Sequence, residues 1–424
     1  MSKHIFVVGL DEFNLALLTP IGQKKSLTFH PLSRAHEVKR RESYHPEKLL
    51  QEAERILDSF PGTVDAIVGY WDFPTTCLVP LLNQKRGMPG PSMTSVLKCE
   101  HKYWSRLEQR QVLTDIPEFC AVNPFEPDAQ SQVTLAYPFW IKPVKAFASQ
   151  LGYRIHDDRE FQEKVEIIRQ GIHKFAKPFN FFLNHITLPP SVAGIGGDYC
   201  IAEALVSGRQ CTLEGYVYKN QVEVYGVIDS IRESNRSTFS RYQYPSHLPQ
   251  EVQTRMKAAA QAIMLHLGYD QAPFNMEFFY DESNDRLWLL EINPRISQSH
   301  CEIFRKVDGA SHFEVMIDLA LGKKPEFPHR QGEFGCAAKI FLRKHEDAVV
   351  KRVPNDEQIT RLNEQFPDAL VNIHVKEGMR LSELTNQESY SYELGYIFLG
   401  AKNEQDLLEK YHQCLDYLPF EYSS

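Results

Sequence analysis

The stretch MEFFYDESNDRLWLLEINPRISQSH, residues 276–300, reads as strand, turn, strand and loop. MEFFY is apolar and aromatic around one glutamate, DESND is a polar turn cluster, and RLWLLEI is a second apolar run. Two such runs joined by a short polar loop predict an antiparallel hairpin. Each run carries one carboxylate, Glu277 and Glu291, and Asn293 follows two positions on. Residues two apart in a strand share a face, so Glu291 and Asn293 point the same way, with Arg295 one such step further. If Glu277 lies across from them, two carboxylates and an amide oxygen converge. Hard oxygen ligands at that density suit magnesium, which takes a few protein oxygens plus substrate phosphates. The spacing alone also fits a solvated acidic hairpin. The apolar surroundings weigh towards a site, because a glutamate inside FNMEFFY is costly to bury without a partner.

Working outward, 424 residues allow about two to four domains. With 42% hydrophobic and 24% charged residues the chain can bury a substantial core. The net charge of −8 and the lack of a long basic block exclude nucleic acid as an expected partner. Eight scattered cysteines include no CxxC pair, so neither a zinc site nor a disulfide framework is expected; they read as reduced thiols of a cytoplasmic protein. Asp11 and Glu12 interrupt the N-terminal apolar run, and no run approaches the roughly 20 apolar residues that span a bilayer. A soluble cytoplasmic protein without a membrane partner is the expectation.

HIFVVG (4–9) and VDAIVGYWD (64–72) read as buried strands, with helix-compatible sequence between them and the helix TTCLVPLLNQKRG (75–87) after them. Strands alternating with helices predict an N-terminal parallel α/β unit. The strand-end Gly9 is no dinucleotide fingerprint, because GLDEFN is not GxGxxG. Residues 94–113 read as one helix and 157–175 as another. YPFWIKPV (137–144) is a strand carrying Lys142, PPSVAGIGGDY (189–199) a glycine-rich loop, and residues 200–233 a meander of strands. A helix over 248–268 closes at Gly268. Residues 311–325 are helical to Gly322, and a strand-rich segment from 332 ends in a helix over 403–418.

The order of these pieces resembles the ATP-grasp superfamily, and more narrowly its carboxylate–amine ligases, including L-amino-acid ligases. DAIVGYWDFPTTCLVPLLNQKRGMPGPS resembles the end of that family's N-terminal domain, and HKYWSRLEQRQVLTDIPEF its lysine-bearing helix. The helix–hairpin block 248–295 is the most specific match. GEFGCAAKIF and ELGYIFLGAKNEQDLLEKYHQCLDYL look like its C-terminal lobe. The resemblance implies a multidomain fold of α/β and α+β parts. These are an N-terminal parallel α/β domain (1–93), a lysine-bearing helix with a small lobe (94–204), a large lobe with the metal site (205–328) and a C-terminal strand-rich lobe (329–424). The two α+β lobes would sandwich ATP.

Carried over residue by residue, Lys102 and Lys142 match the two lysines that contact ATP phosphates, where a compact ammonium offsets polyphosphate charge. KAFASQLG (145–152) stands where the family has a glycine-rich phosphate loop. Backbone N–H groups near Ala146, Ala148 and Ser149 would have to serve without glycine's freedom. AEALV (202–206) matches the hinge strand. The backbone of Ala204 to Val206 would read adenine and Glu203 would accept from its exocyclic amine. Gln210 stands where the family usually has a glutamate on the ribose hydroxyls. Glu277, Glu291 and Asn293 match the magnesium (or manganese) ligands. Arg295 matches the arginine that holds the transferring phosphate or the acyl phosphate, and it and Lys142 are the expected catalytic residues.

NPRISQSH also resembles the biotin-carboxylase loop in length, Arg, Ile and final His. Ser299 occupies the place of that loop's glutamate, and a serine cannot act as a carboxylate base at neutral pH. Ser299 and His300 then shape an acceptor pocket, with His300 either a base for an amine or a structural loop residue. Arg232 and Arg236 are candidates for a substrate carboxylate. The resemblance thus implies an ATP-dependent ligase joining a small-molecule carboxylate and an amine, with amino acids as substrates, and allows a homodimer. The alternatives are a biotin-type carboxylase and a non-catalytic ATP-binding regulator.

Overall fold

The computed structural model describes residues 2–39, 45–146, 150–233, 238–384 and 391–423. The N-terminal apolar runs become β1 (Lys3–Val8), β2 (Leu27–Pro31) and β3 (Ala66–Gly69), a parallel sheet in the order β2-β1-β3. Parallel neighbours need crossovers, supplied here by the helices Glu12–Lys25 and Pro46–Ser59. Just past β1, Gly9 has φ 78, and its carbonyl accepts the Trp71 indole N–H at 2.6 Å. A Cβ at Gly9 would overlap the Trp71 ring, so this junction requires glycine.

A second, antiparallel sheet holds β4 (Phe119–Val122), β5 (Phe139–Pro143), β6 (Tyr153–Ile155) and β7 (Cys200–Ala204), in the order β4-β7-β5-β6. Phe139, Ile141 and Ile155 pack there against Phe161, Val165 and Ile168 of the helix Asp158–Gly171. The third sheet has eight strands. They are β8 (Arg209–Tyr218), β9 (Gln221–Arg232), β10 (Phe239–Tyr244), β11 (Ala272–Asp281), β12 (Arg286–Asn293), β13 (Cys336–Lys344), β15 (Leu370–Ile373) and β16 (Tyr392–Ala401). Between β13 and β15 lies β14 (Val349–Arg352), which pairs outside this sheet with β17 (Glu421–Ser423). The order of the large sheet is β12-β11-β8-β9-β10-β13-β16-β15. The helix Gln250–Leu267 covers one face, where Val252, Met256, Ala260 and Ile263 join Cys211, Leu213, Met276 and Phe278 in the core. Gly268 closes that helix with φ 65, as the sequence predicts. Among the described residues no helix is long and apolar enough to cross a membrane.

The structure departs from the sequence reading at four places. The helix expected over 94–113 is two helices, Met93–Glu100 and Lys102–Val112. His101 adopts an extended backbone between them, and its ring accepts the Trp104 N–H at 3.3 Å as the second helix's cap. The helix expected over 157–175 likewise ends at Gly171, and a new one, His173–Leu183, begins. The strands of 200–233 are not one meander: β7 lies in the four-stranded sheet, while β8 and β9 lie in the large one. The chain changes sheets at 205–208, where Gly208 (φ 145) passes against the Tyr280 carbonyl too closely for any Cβ. After the opening hairpin the expected loop tightens into a 3₁₀ turn, Gln298–His300, and the helix Cys301–Asp308.

Candidate functional site

The large sheet's second face is polar. Period-two alternation puts Glu291 and Asn293 of β12, Asn275 and Glu277 of β11, and Gln210, Thr212 and Glu214 of β8 on it. It continues through Ser230 and Arg232 of β9, Tyr242 of β10, Lys339 of β13, and Tyr396 and Phe398 of β16. The register sets Glu277 directly across from Glu291 and Asn275 across from Asn293, with a bulge at Leu290.

Lys102, at the start of its helix, donates to Glu291 Oε1 at 2.6 Å and to the Ala146 carbonyl at 3.0 Å. Glu291 is walled in by protein, yet 36% of its side chain remains open to the cleft. Burial would raise its carboxyl, but Lys102, with Lys145 and Lys142 beyond, holds it below the usual range. Glu277 goes the other way: burial, then the charge of Glu291, pushes it up. Lys142 of β5 pairs with Glu203 at 2.6 Å, and Arg106 takes the other Glu203 oxygen at 2.5 Å. Arg106 also donates to the carbonyls of Leu289 and Leu290 at the β12 bulge, at 2.6 and 3.1 Å. One narrow cavity is lined by Lys102, Arg106, Lys142, Glu203 and Glu291. The two lysines and the acidic hairpin therefore meet in one place.

Arg295 reaches across to the loop that follows β3 of the N-terminal sheet. Its Nε and Nη2 donate to Asp72 Oδ1 at 2.9 and 2.6 Å, and Nη2 lies 3.4 Å from Asn293 Oδ1. Asn293 donates in turn to Asn275 Oδ1 at 3.1 Å. Behind this chain Glu214 is fully buried and accepts from Asn275 Nδ2 (2.7 Å), the Ser297 N–H (3.2 Å) and His300 Nδ1 (2.7 Å). Burial pushes the Glu214 carboxyl up to about 7 and the His300 imidazole down to about 3.

Several expected roles change on these contacts. Glu203 has both oxygens in ion pairs. Burial would raise its carboxyl, but Arg106 and Lys142 hold it down to about 2, and both its oxygens are already engaged by cations. The Ala204 N–H is spent on the Glu118 carbonyl at 2.8 Å; Val206 lies in the segment crossing between sheets. Gln210 donates to Glu277 Oε2 at 3.1 Å and accepts from Arg232 Nη2 at 2.7 Å, which ties it to the acidic hairpin. Arg232 also stacks its guanidinium 4.1 Å from the Phe239 ring centre. His300 is 2% exposed with Nδ1 on Glu214, a contact that ties the loop after Arg295 to β8. Ser299 Oγ accepts from Lys339 Nζ at 3.0 Å. Ser149 and Arg236 lie outside the described residues.

Asp72, Arg106, Glu214 and Lys339 carry no sequence signal of their own, because each acquires its partner only through the fold. Among the described residues no cluster of three or more His, Cys, Asp and Glu side chains gathers as a ligand set. Glu277, Glu291 and Asn293 supply only hard oxygens and few of them, and Glu277 has no ion-pair partner among the described residues. That donor set fits magnesium bound jointly with phosphate and water.

Residues 135–302 match the model of the ATP-grasp domain. A urea amidolyase of Saccharomyces cerevisiae is 27% identical over 188 residues, 44% of this chain and 10% of that protein. The match thus spans a tenth of that relative's length. An L-amino acid ligase from Bacillus licheniformis superposes with a TM-score of 0.73 at 15% identity, over 100% of this chain and 99% of that one. A biotin carboxylase from Campylobacter jejuni gives 0.68 at 13% identity, over 100% and 92%. At these identities the likeness to the solved structures is one of fold.

Proposed function

Because this chain is built on an ATP-grasp domain, we propose that it is an ATP-dependent carboxylate–amine ligase acting on amino acids. The observation that carries this is the convergence of Lys102, Lys142 and Arg106 with Glu291 in a single cavity, with Glu277 across the hairpin from Glu291, Asn293 two residues on and Arg295 beside Asn293. As the protein stands, each phosphate-type lysine is neutralised by a carboxylate. A bound polyphosphate competes for Lys102 and Lys142 and releases Glu291 to a cation. Magnesium, held by Glu277, Glu291 and Asn293, would neutralise charge on the phosphates.

In the first step a substrate carboxylate oxygen attacks the γ-phosphorus, the bond to the β-phosphate oxygen breaks, and ADP leaves. Arg295, aimed by Asp72, presents its fork to the oxyanions of the resulting acyl phosphate. In the second step an amine attacks the acyl carbon, phosphate departs, and the nitrogen loses a proton. Free carboxylate is a poor electrophile, so activation is what ATP contributes; the protein contributes position and charge. A carboxylase reading is not favoured, because the position after Gln298 presents Ser299 to Lys339 and offers no carboxylate base. A cytoplasmic, reducing setting suits the eight unpaired cysteines.

The test is a screen of the purified chain with magnesium–ATP, amino-acid pairs and other acid–amine pairs. ADP and phosphate should form in equal amounts with the amide. No release above background with any pair rejects the proposal.

A further inference from the structure

Three lysines are buried among the described residues: Lys145, Lys306 and Lys339. Lys145 pairs with Glu100, and Lys306 lies 3.2 Å from Asp368. Lys339 is 5% exposed and, among the described residues, has no carboxylate within ion-pair reach. Its Nζ touches the Ser299 hydroxyl at 3.0 Å and sits over the Tyr396 ring at 3.8 Å, with Phe341 at 5.0 Å. Glu393, whose charge Lys339 feels, is engaged by His374 at 3.4 Å and Arg343 at 3.7 Å. Aromatic faces and one hydroxyl offset only part of the cost of burying an ammonium. Among the described residues the seat lacks an anion.

Its place in the fold says which anion. Lys339 shares the polar face with Glu277, and Ser299 lies in the 3₁₀ turn Gln298–His300 that follows Arg295. By register Gln210, Ser230, Tyr242 and Lys339 form one row across the sheet, three strand spacings or roughly 14 Å between the ends. Gln210 touches Glu277, so the Lys339 seat is too far to hold the carboxylate being activated there, and near enough for the other end of a small substrate. The other cations whose charge Lys339 feels are already placed, Lys39 over the Trp71 ring at 4.0 Å and Arg343 3.7 Å from Glu393, so the seat offers one ammonium and one hydroxyl, which suit a monoanion.

We propose that Lys339 and Ser299 anchor the free carboxylate of the amine-bearing substrate, so that the acceptor is an amino acid held by its own acid group. This deepens the ligase reading and rests on it.

The test is calorimetric titration of the full chain loaded with magnesium–ADP, using the twenty amino acids and their carboxamides as probes. At least one free acid should bind about ten- to a hundredfold tighter than its carboxamide, the range of a charge-assisted hydrogen bond. Lys339→Gln should bring the acid down to the carboxamide's affinity, and Ser299→Ala should cause a smaller loss. Equal binding of acid and carboxamide, no binding by any probe, or unchanged affinity in both variants overturns the anchor. ATP turnover is followed in parallel. Turnover with simple amines and an unchanged KM in Lys339→Gln removes the anchor and leaves the ligase. Carboxylate-selective binding without turnover for any acid–amine pair removes the ligase and leaves the anchor.

Discussion

Glu277 stands directly across the β11–β12 hairpin from Glu291, and the two carboxyls are driven in opposite directions. Lys102 keeps Glu291 ionised, while Glu277, buried beside that charge, resists ionisation. Two acids so placed are a liability to the fold unless a cation joins them. Glu277→Gln should therefore leave the thermal midpoint unchanged or raise it, while cutting ATP turnover by about 10²- to 10³-fold, the usual cost of losing one electrostatic contact to a reacting group. Differential scanning calorimetry and steady-state ADP release on the same preparation check both halves. A fall in the midpoint with activity intact would show that the pair is structural.

Glu203 joins two cations from different parts of the chain, Arg106 of the Lys102–Val112 helix and Lys142 of β5. Removing its charge leaves Arg106 buried with only neutral acceptors. Glu203→Gln should destabilise the protein by about 3–5 kcal/mol, the cost of breaking a buried pair from one side. Lys142→Met leaves Arg106 on Glu203 and should cost much less stability. It should nevertheless weaken nucleotide binding about tenfold or more by removing a charge-assisted contact. Denaturant melts and ADP titrations separate the two variants; equal destabilisation by both would refute this division of labour.

The hairpin was legible because its signals are local. Alternation put Glu291 and Asn293 on one face, and DESND turned the chain. The helix break at His101 was not legible, since no glycine or proline marks it and its cap forms only when the ring meets Trp104. The contacts of Gln210 were not legible, because its neighbours on other strands, Glu277 and Arg232, lie 67 and 22 residues away. Lys339 gave no hint, because an unpaired buried lysine is recognisable only once burial and partners are known.

His300 makes a prediction about pH. Its imidazole is pushed down to about 3 in the folded protein by burial, against an ordinary value of 6.5. Below pH 6.5 the unfolded chain takes up a proton that folded His300 refuses, so this residue's contribution to stability is lost as pH falls towards 3. Glu214 acts oppositely: raised from 4.5 to about 7, it favours the folded state at the acid end of that window and loses this advantage as pH rises. Denaturant melts between pH 4.5 and 6.5 should show His300→Asn with a shallower gain in stability on raising pH than the wild type. Glu214→Gln should show a steeper one. Parallel profiles for all three proteins would mean that the cluster does not titrate as a buried unit.

Asp72 aims Arg295 from the loop after β3, 223 residues away in sequence. The carboxylate is 46% exposed and the guanidinium 14%, so the pair contributes little to stability and mainly sets where the fork points. Asp72→Asn keeps an oxygen acceptor but removes the charge that opposes the Arg295 cation. The arginine then loses its orientation relative to Asn293, 3.4 Å away. Because Arg295 is proposed to act on the acyl phosphate and not on nucleotide binding, kcat should fall about tenfold or more with the KM for ATP little changed. Asp72→Glu, which restores the charge at a longer reach, should recover part of the loss. A rise in the KM for ATP without a change in kcat would place Asp72 and Arg295 in nucleotide binding instead.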